Sequence, residues 1–261
     1  MFVMAEIIQN ILMGIRPLAR VVQRYHSTGI SADLGMVERV FDLYSGFVSV
    51  AGKDILEIGP GQTLEVLERA MAAGAKSCAA IDVLAYVSQE QAKTKHIAYV
   101  VYKGREMPLA EASVDLICSY TALEHVRAPS VTVQECFRVL RPGGVLVSVI
   151  DLADHSFYGK IKTYPDKVFD CLQYPEWLWN LMRWNRSSYV NRLRQSDWLR
   201  LFAEAGFVLR AQEATVSEPT VRLFPKLCYL HKYSYDDAVT CVLTVYMEKP
   251  SLRDASPEVR L

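Results

Sequence analysis

From residue 54 onward, short apolar runs alternate with amphipathic stretches. Asp54–Ile58 (DILEI) predicts a first strand, and Thr63–Ala73 a helix closed by Gly74. Lys76–Ile81 predicts a second strand, ending at Asp82. Ala98–Tyr102 predicts a third and Val114–Ser119 a fourth. Pro129–Leu140 reads as a helix and Gly144–Ile150 as a fifth strand. Strands and helices alternating at this spacing imply βαβ units and a parallel sheet covered on both faces.

The pattern then changes. Ser196–Gly206 reads as a helix with Ser196 as N-cap and Gly206 after its end. Phe207–Thr215 and Ala238–Glu248 read as strands, the second rich in Val, Thr and Tyr. No good crossover helix separates them, so an antiparallel final pair is expected. The predicted fold is α/β: a Rossmann-like, doubly wound, seven-stranded sheet, mostly parallel, with an antiparallel last strand. Residues 1–50 read as a helical lid segment that includes a helix at Gly35–Phe47. Residues 51–150 read as the cofactor-binding core, 151–195 as a substrate cap insertion, 196–250 as the completion of the sheet and 251–261 as a tail.

Composition narrows the function classes. The 261 residues carry 29 basic and 29 acidic side chains, and about half are apolar. No global basic footprint argues for nucleic acid. The six cysteines form no CxxC pair and no zinc spacing, so buried thiols in a reducing compartment and no metal are expected. The N-terminal MFVMAEIIQNILMGIRPLAR is interrupted by Glu6 and lacks a preceding basic region, which makes a poor signal peptide. No apolar run approaches the length of a membrane span. A cytoplasmic protein without stable membrane insertion is expected, its first helix packing on the domain or on a partner in a homodimer.

The chemistry concentrates at Glu57-Ile58-Gly59-Pro60-Gly61-Gln62-Thr63, at the end of the first strand. Glycines there allow a tight turn and close approach of backbone to a ligand. A dinucleotide loop wants a third Gly or Ala where Leu64 stands. Glu57 can hold an ammonium or orient the loop, and it would sit badly beside a pyrophosphate. Asp82, which Val83 follows, closes the second strand about 20 residues on, where an acid accepts ribose hydroxyls.

With these residues the sequence resembles the class I S-adenosylmethionine-dependent methyltransferases. DILEIGPGQTLEVL is similar to their first motif, and Asp82 to their ribose-binding acid. MPLAEASVDLICSYTALEHV is similar to their fourth-strand segment, and RVLRPGGVLVSV to the entry of their fifth. The resemblance covers about residues 50–150. It implies S-adenosyl-L-methionine as cofactor, with Glu57, Gly59, Pro60 and Gly61 serving the methionine end and Asp82 and Val83 the ribose. It further implies that Gly104, Arg105, Glu106, Met107, Ser119 and Tyr120 border the adenine and the methyl centre. Lys103 departs from the pattern by standing where many relatives carry an Asp for the adenine amino group. Backbone groups or Glu106 then take that contact.

Methyl transfer is an in-line displacement in which alignment alone supplies roughly 7–11 kcal/mol. A general base is needed only for a protonated acceptor. His155, just past the fifth strand, is the first candidate, and strand C-terminal ends line the crevice of open α/β sheets. His125 follows Glu124 after the fourth strand, and its alternative is a hydrogen-bonding residue at a helix start. His26 sits on the lid segment, and Tyr158 joins it as a further candidate.

Nine aromatics between Phe157 and Tyr189 read either as a substrate cap or as a small accessory core. Five arginines between Arg183 and Arg200, with the single acid Asp197, suit a phosphate or carboxylate on a substrate, or local ion pairs. Tyr189-Val190-Asn191-Arg192-Leu193-Arg194 is similar to a run in methyltransferases encoded with polysaccharide biosynthesis. It implies a small or medium acceptor and O-methylation of a sugar or other hydroxyl-bearing metabolite. N- or C-methylation of a natural product stays open. A nicotinamide-dependent oxidoreductase or epimerase is disfavoured by Leu64 and by the lack of a Tyr-x-x-x-Lys pair. A non-catalytic binding relative is disfavoured by the intact loop.

Overall fold

The computed structural model describes residues 2–15, 33–102, 105–155, 169–186, 189–218, 221 and 233–251. The sheet strands are β1 (Asp54–Ile58), β2 (Ser77–Asp82), β3 (Ile97–Val101), β4 (Val114–Tyr120), β5 (Leu140–Asp151), β6 (Val208–Val216) and β7 (Thr240–Glu248). The helices are α1 (Phe2–Met13), α2 (Leu34–Phe47), α3 (Glu65–Ala72), α4 (Gln89–Thr94), α5 (Pro129–Val139), α6 (Glu176–Arg183), α7 (Gln195–Glu204) and α8 (Tyr235–Val239).

The seven strands run in the order β3-β2-β1-β4-β5-β7-β6. The first five are parallel, and β7 lies antiparallel between β5 and β6. This is the predicted architecture. All five residues of β1 are buried, as a central parallel strand with both faces covered requires. One face packs on α5 and α7 through residues such as Leu56, Val133, Leu146, Trp198 and Phe202. The other packs on α2 and α3 through Val40, Tyr44, Ile55, Leu67 and Leu116. Strand order reverses between β1 and β4, and the crevice at such a switch point is where open α/β sheets bind ligands.

Gly74 (φ +91°) and Gly206 (φ +100°) follow α3 and α7, as predicted, in the left-handed conformation that terminates helices. Ser196 is not the N-cap of α7. Arg194 takes that position, and the Asp197 carboxylate accepts its backbone N–H at 3.1 Å. Ser196 instead donates through N–H (3.0 Å) and Oγ to Asp237 at the start of α8. Helix α1 packs on α6. The Asn10 amide donates to Leu181 O at 2.9 Å, and Glu6 pairs with Arg183 at 3.0 Å and with Arg186. Among the described residues no helix is long and apolar enough to cross a membrane.

Candidate functional site

The turn after β1 is held by backbone geometry that only glycine tolerates. Gly59 and Gly61 both sit at φ +71°. A Cβ on Gly59 would come within 2.4 Å of the Ala122 Cβ, in the loop after β4, so the two loops close on each other at the switch point. The Gly59 N–H donates to Ile81 O at 2.8 Å. Asp82, at the end of β2, accepts from Gly61 N–H (3.4 Å) and from Leu84 N–H (3.2 Å). One carboxylate thus ties the glycine turn to the next strand, and each oxygen keeps a lone pair for a ligand.

Glu57 is 2% exposed, and its Oε2 has no hydrogen-bond partner. Burial first, and the charge of Asp82 second, push its pKa up to about 8. Asp82 is itself raised, chiefly by burial, against the lowering effect of its backbone N–H partners. A deep, under-neutralised carboxylate beside a glycine turn can receive a cationic group.

A second cluster stands at the ends of β4 and β5. A 3-10 turn, Leu123–His125, follows β4, so His125 lies in a separate turn and not at the start of α5. The His125 Nδ1 is 2.6 Å from Tyr189 O, and its ring meets that of His155 edge-on at 4.6 Å. Burial first, then His155, lowers the His125 pKa to about 4, so the ring is neutral and donates from Nδ1. His155 Nε2 lies 3.4 Å from Asp151 and 3.6 Å from Glu124. Glu124 is 2% exposed, and burial raises its pKa strongly. Asn191 stitches the segment before α7 to this turn, donating from Nδ2 to Leu123 O (2.9 Å) and from its N–H to Glu124 O (2.8 Å).

A methyltransferase-domain family model matches residues 56–148. A probable S-adenosylmethionine-dependent methyltransferase of Mycolicibacterium smegmatis is 32% identical over 103 residues, 37% of this chain and 37% of the relative. The chain therefore matches little more than a third of that curated relative's length. Residues 56–148 are thus similar to a methyltransferase domain. An S-adenosylmethionine-dependent methyltransferase from Mesorhizobium loti shares the fold at TM-score 0.55 and 16% identity, over 81% of this chain and 99% of that one. The [4+2]-cyclase SpnF shares it at TM-score 0.55 and 15% identity, over 87% and 85%. The second likeness shows that the fold alone does not fix the reaction.

The structure brings Glu57, Gly59, Pro60, Gly61 and Asp82 together at the β1–β4 crevice. Val83 is exposed beside Asp82. Arg105 and Glu106 are exposed as well. Met107 turns its side chain into the core, leaving its backbone, whose N–H donates to Glu135 at 2.7 Å. The Ser119 side chain is fully buried and donates to Ile58 O at 3.3 Å, so it braces β1 from within the sheet. Tyr120 is partly buried at the end of β4. His125 and His155 meet, whereas His26, Tyr158 and Gly104 lie outside the described residues, as does Lys103.

The arginines of 183–200 serve the protein's own frame. Arg192 donates to Tyr174 O (2.6 Å) and Cys171 O (3.1 Å) and pairs with Glu176. Arg194 is fully buried and feeds the carbonyls of Leu152, Asp237, Ala238 and Thr240. Arg200 pairs with Asp197 and Glu204. Arg183 and Arg186 are held by Glu6, so these five arginines are spent on the frame through remote ion pairs and carbonyls, with only Arg200 pairing locally. The aromatic segment divides. Trp179 donates to Val190 O at 2.9 Å inside a small accessory core with Cys171 and Tyr189, while Trp177 and Trp184 stay exposed.

Sequence reasoning missed Tyr44 of α2, whose buried hydroxyl has no partner and feels the Glu57 carboxylate. It also missed Asp151, Glu124 and the Arg127 guanidinium stacked over Trp184 (5.4 Å) and Tyr189 (4.8 Å). Asp151 had a usable signal, being an acid at the C-terminal end of a core strand.

Proposed function

We propose that the protein transfers the methyl group of S-adenosyl-L-methionine to a small or medium hydroxyl-bearing acceptor, such as a sugar. The observation that carries this reading is the pairing of the Glu57–Gly61 turn with Asp82 at the switch point of the sheet. Glu57 takes the ammonium of the methionine end, and Asp82 takes the ribose hydroxyls. The acceptor lies against His155, with the exposed Trp184 ring and Arg127 beside it. The acceptor oxygen attacks the methyl carbon, the carbon–sulfur bond breaks, and S-adenosylhomocysteine leaves. His155 receives the acceptor proton, and Asp151, 3.4 Å from its Nε2, stabilises the imidazolium.

Calorimetry with S-adenosylmethionine and S-adenosylhomocysteine tests the cofactor. Both are expected to bind, and Asp82→Ala is expected to weaken both by about 10–100-fold, the worth of lost charge-assisted hydrogen bonds. Absence of binding to the wild-type protein overturns the reading, and an unchanged affinity in Asp82→Ala overturns the ribose assignment.

A further inference from the structure

Glu124 is the most anomalous polar group among the described residues. It is 2% exposed; no side chain hydrogen-bonds its carboxylate with good geometry, and only the backbone N–H groups of Glu124 and Asp151 act against its burial. Burying a carboxylate in this way is costly, and such groups are kept where a cation or ligand supplies the missing partner. Two imidazoles surround it. His125 commits Nδ1–H to the Tyr189 carbonyl, which leaves the Nε2 lone pair free. A backbone carbonyl that fixes the tautomer through the far nitrogen is the usual support of a metal-binding histidine. His155 presents Nε2 to Glu124 Oε1 at 3.6 Å.

One ligand atom from each of Glu124, His125 and His155 lies within 4.8 Å of the others. Ligands at about 2.0–2.1 Å from a tetrahedral zinc stand roughly 3.4 Å apart, so a small side-chain movement closes the set. The 3-10 turn after β4 and the end of β5 supply the three residues, and the Asn191 bonds hold that turn in place. The His155 side chain remains 17% exposed, so the cluster is not sealed.

We propose that Glu124, His125 and His155 form a binding site for a divalent transition-metal ion such as Zn²⁺, with an open coordination position facing the cleft. Two imidazoles and one carboxylate suit zinc, cobalt or iron, whereas magnesium and calcium prefer all-oxygen sets. Three protein ligands with an open position is the pattern of a catalytic and not a structural site. Metal binding stands independently of the cofactor assignment. Only the use of the open position by the acceptor oxygen rests on it, and with the ion bound His155 is a ligand rather than a proton acceptor. Sequence spacing hides this set, because His125 and His155 lie about 30 residues apart.

The test is titration of the EDTA-stripped full chain with ZnCl₂ by calorimetry, and with Co²⁺ by visible absorption. One equivalent of Zn²⁺ is expected to bind, with cobalt d–d bands and no uptake of Mg²⁺. Glu124→Gln removes the ionisable carboxyl without changing shape, so it is expected to fold, as far-UV circular dichroism will verify. It is expected to lower Zn²⁺ affinity about a hundredfold and to abolish the bands, as is His155→Ala, while His96→Ala changes neither. No Zn²⁺ uptake, or equal uptake by Glu124→Gln and His155→Ala, overturns the proposal. S-adenosylmethionine is titrated separately, so failure there with Zn²⁺ binding intact overturns only the cofactor reading.

Discussion

Glu57 shows how one buried carboxylate links cofactor binding to pH. Its pKa is pushed up to about 8 by burial and then by Asp82, so the ligand-free protein holds it mostly protonated at neutral pH. A cationic ligand favours the ionised form. Between about pH 5.5 and 7, below the titration of the ligand's α-amino group, affinity is expected to rise nearly tenfold per pH unit. Stability runs the other way. A folded-state pKa raised above the ordinary carboxylate value means that the native state binds the extra proton between about 4.5 and 8. Stability of the ligand-free protein therefore falls as pH rises through that window. Glu57→Gln is expected to make both trends shallower, Asp82 and Glu124 supplying the rest, measured by calorimetry and thermal melts in a pH series; an affinity slope as steep as in the wild-type protein would remove Glu57 from the site. This residue was legible in the sequence because its meaning is local: an acid two positions before a Gly-Pro-Gly turn. Glu124 was not, because its burial beside Asp151 exists only once β4 and β5 stand side by side.

At the scale of elements, the strand and helix pattern was readable because each element satisfies its own rules. The buried run of β1 and the glycines after α3 and α7 needed no knowledge of distant partners. The arginines and Ser196 deceived for the opposite reason: Glu6, Glu176 and Asp237, their partners, are remote in sequence. The segment Tyr189–Arg194 matters most among such ties. Its Tyr189 carbonyl orients His125, and Asn191 donates to both Leu123 and Val126 carbonyls. Asn191→Ala strands these two acceptors and loosens the turn that carries Glu124 and His125. The expected cost is about 1–3 kcal/mol of stability. S-adenosylhomocysteine affinity is expected to stay within about twofold while acceptor turnover falls, because the Asn191 bonds reach the Leu123 and Val126 carbonyls and not the glycine turn itself. Equal losses in both measurements would show that the segment supports the whole cleft rather than the acceptor side.

Across the whole molecule, the two ends of the sheet carry opposite electrostatics. The C-terminal ends of the parallel strands hold Glu57, Asp82 and Glu124, all raised by burial. The other end is a neutralised staple. Asp54 accepts from Ser77 Oγ at 2.7 Å and from Lys76 and Arg141 at 3.0 Å, and Arg141 also pairs with Asp115 at 2.8 Å. The Ser77 bond first, and Lys76 next, lower the Asp54 pKa to about 2. A lowered folded-state pKa contributes stability that is present above the ordinary value near 4 and is lost as pH falls towards 2. The acid limb of the stability curve thus comes from the staple and the alkaline limb from the site, and the ligand-free protein is expected to be most stable near pH 5. Asp54→Asn keeps the shape but removes the charge. Much of the staple is partly exposed, so the loss at neutral pH is expected to be about 1–2 kcal/mol, or roughly 2–8 °C in Tm. The same substitution should shrink the melting-temperature loss between pH 4 and 2 while leaving the decline above pH 5 intact. If the alkaline decline vanished with the acid one, the two ends would titrate as one unit, and the separation of frame from site along the strand axis would be wrong.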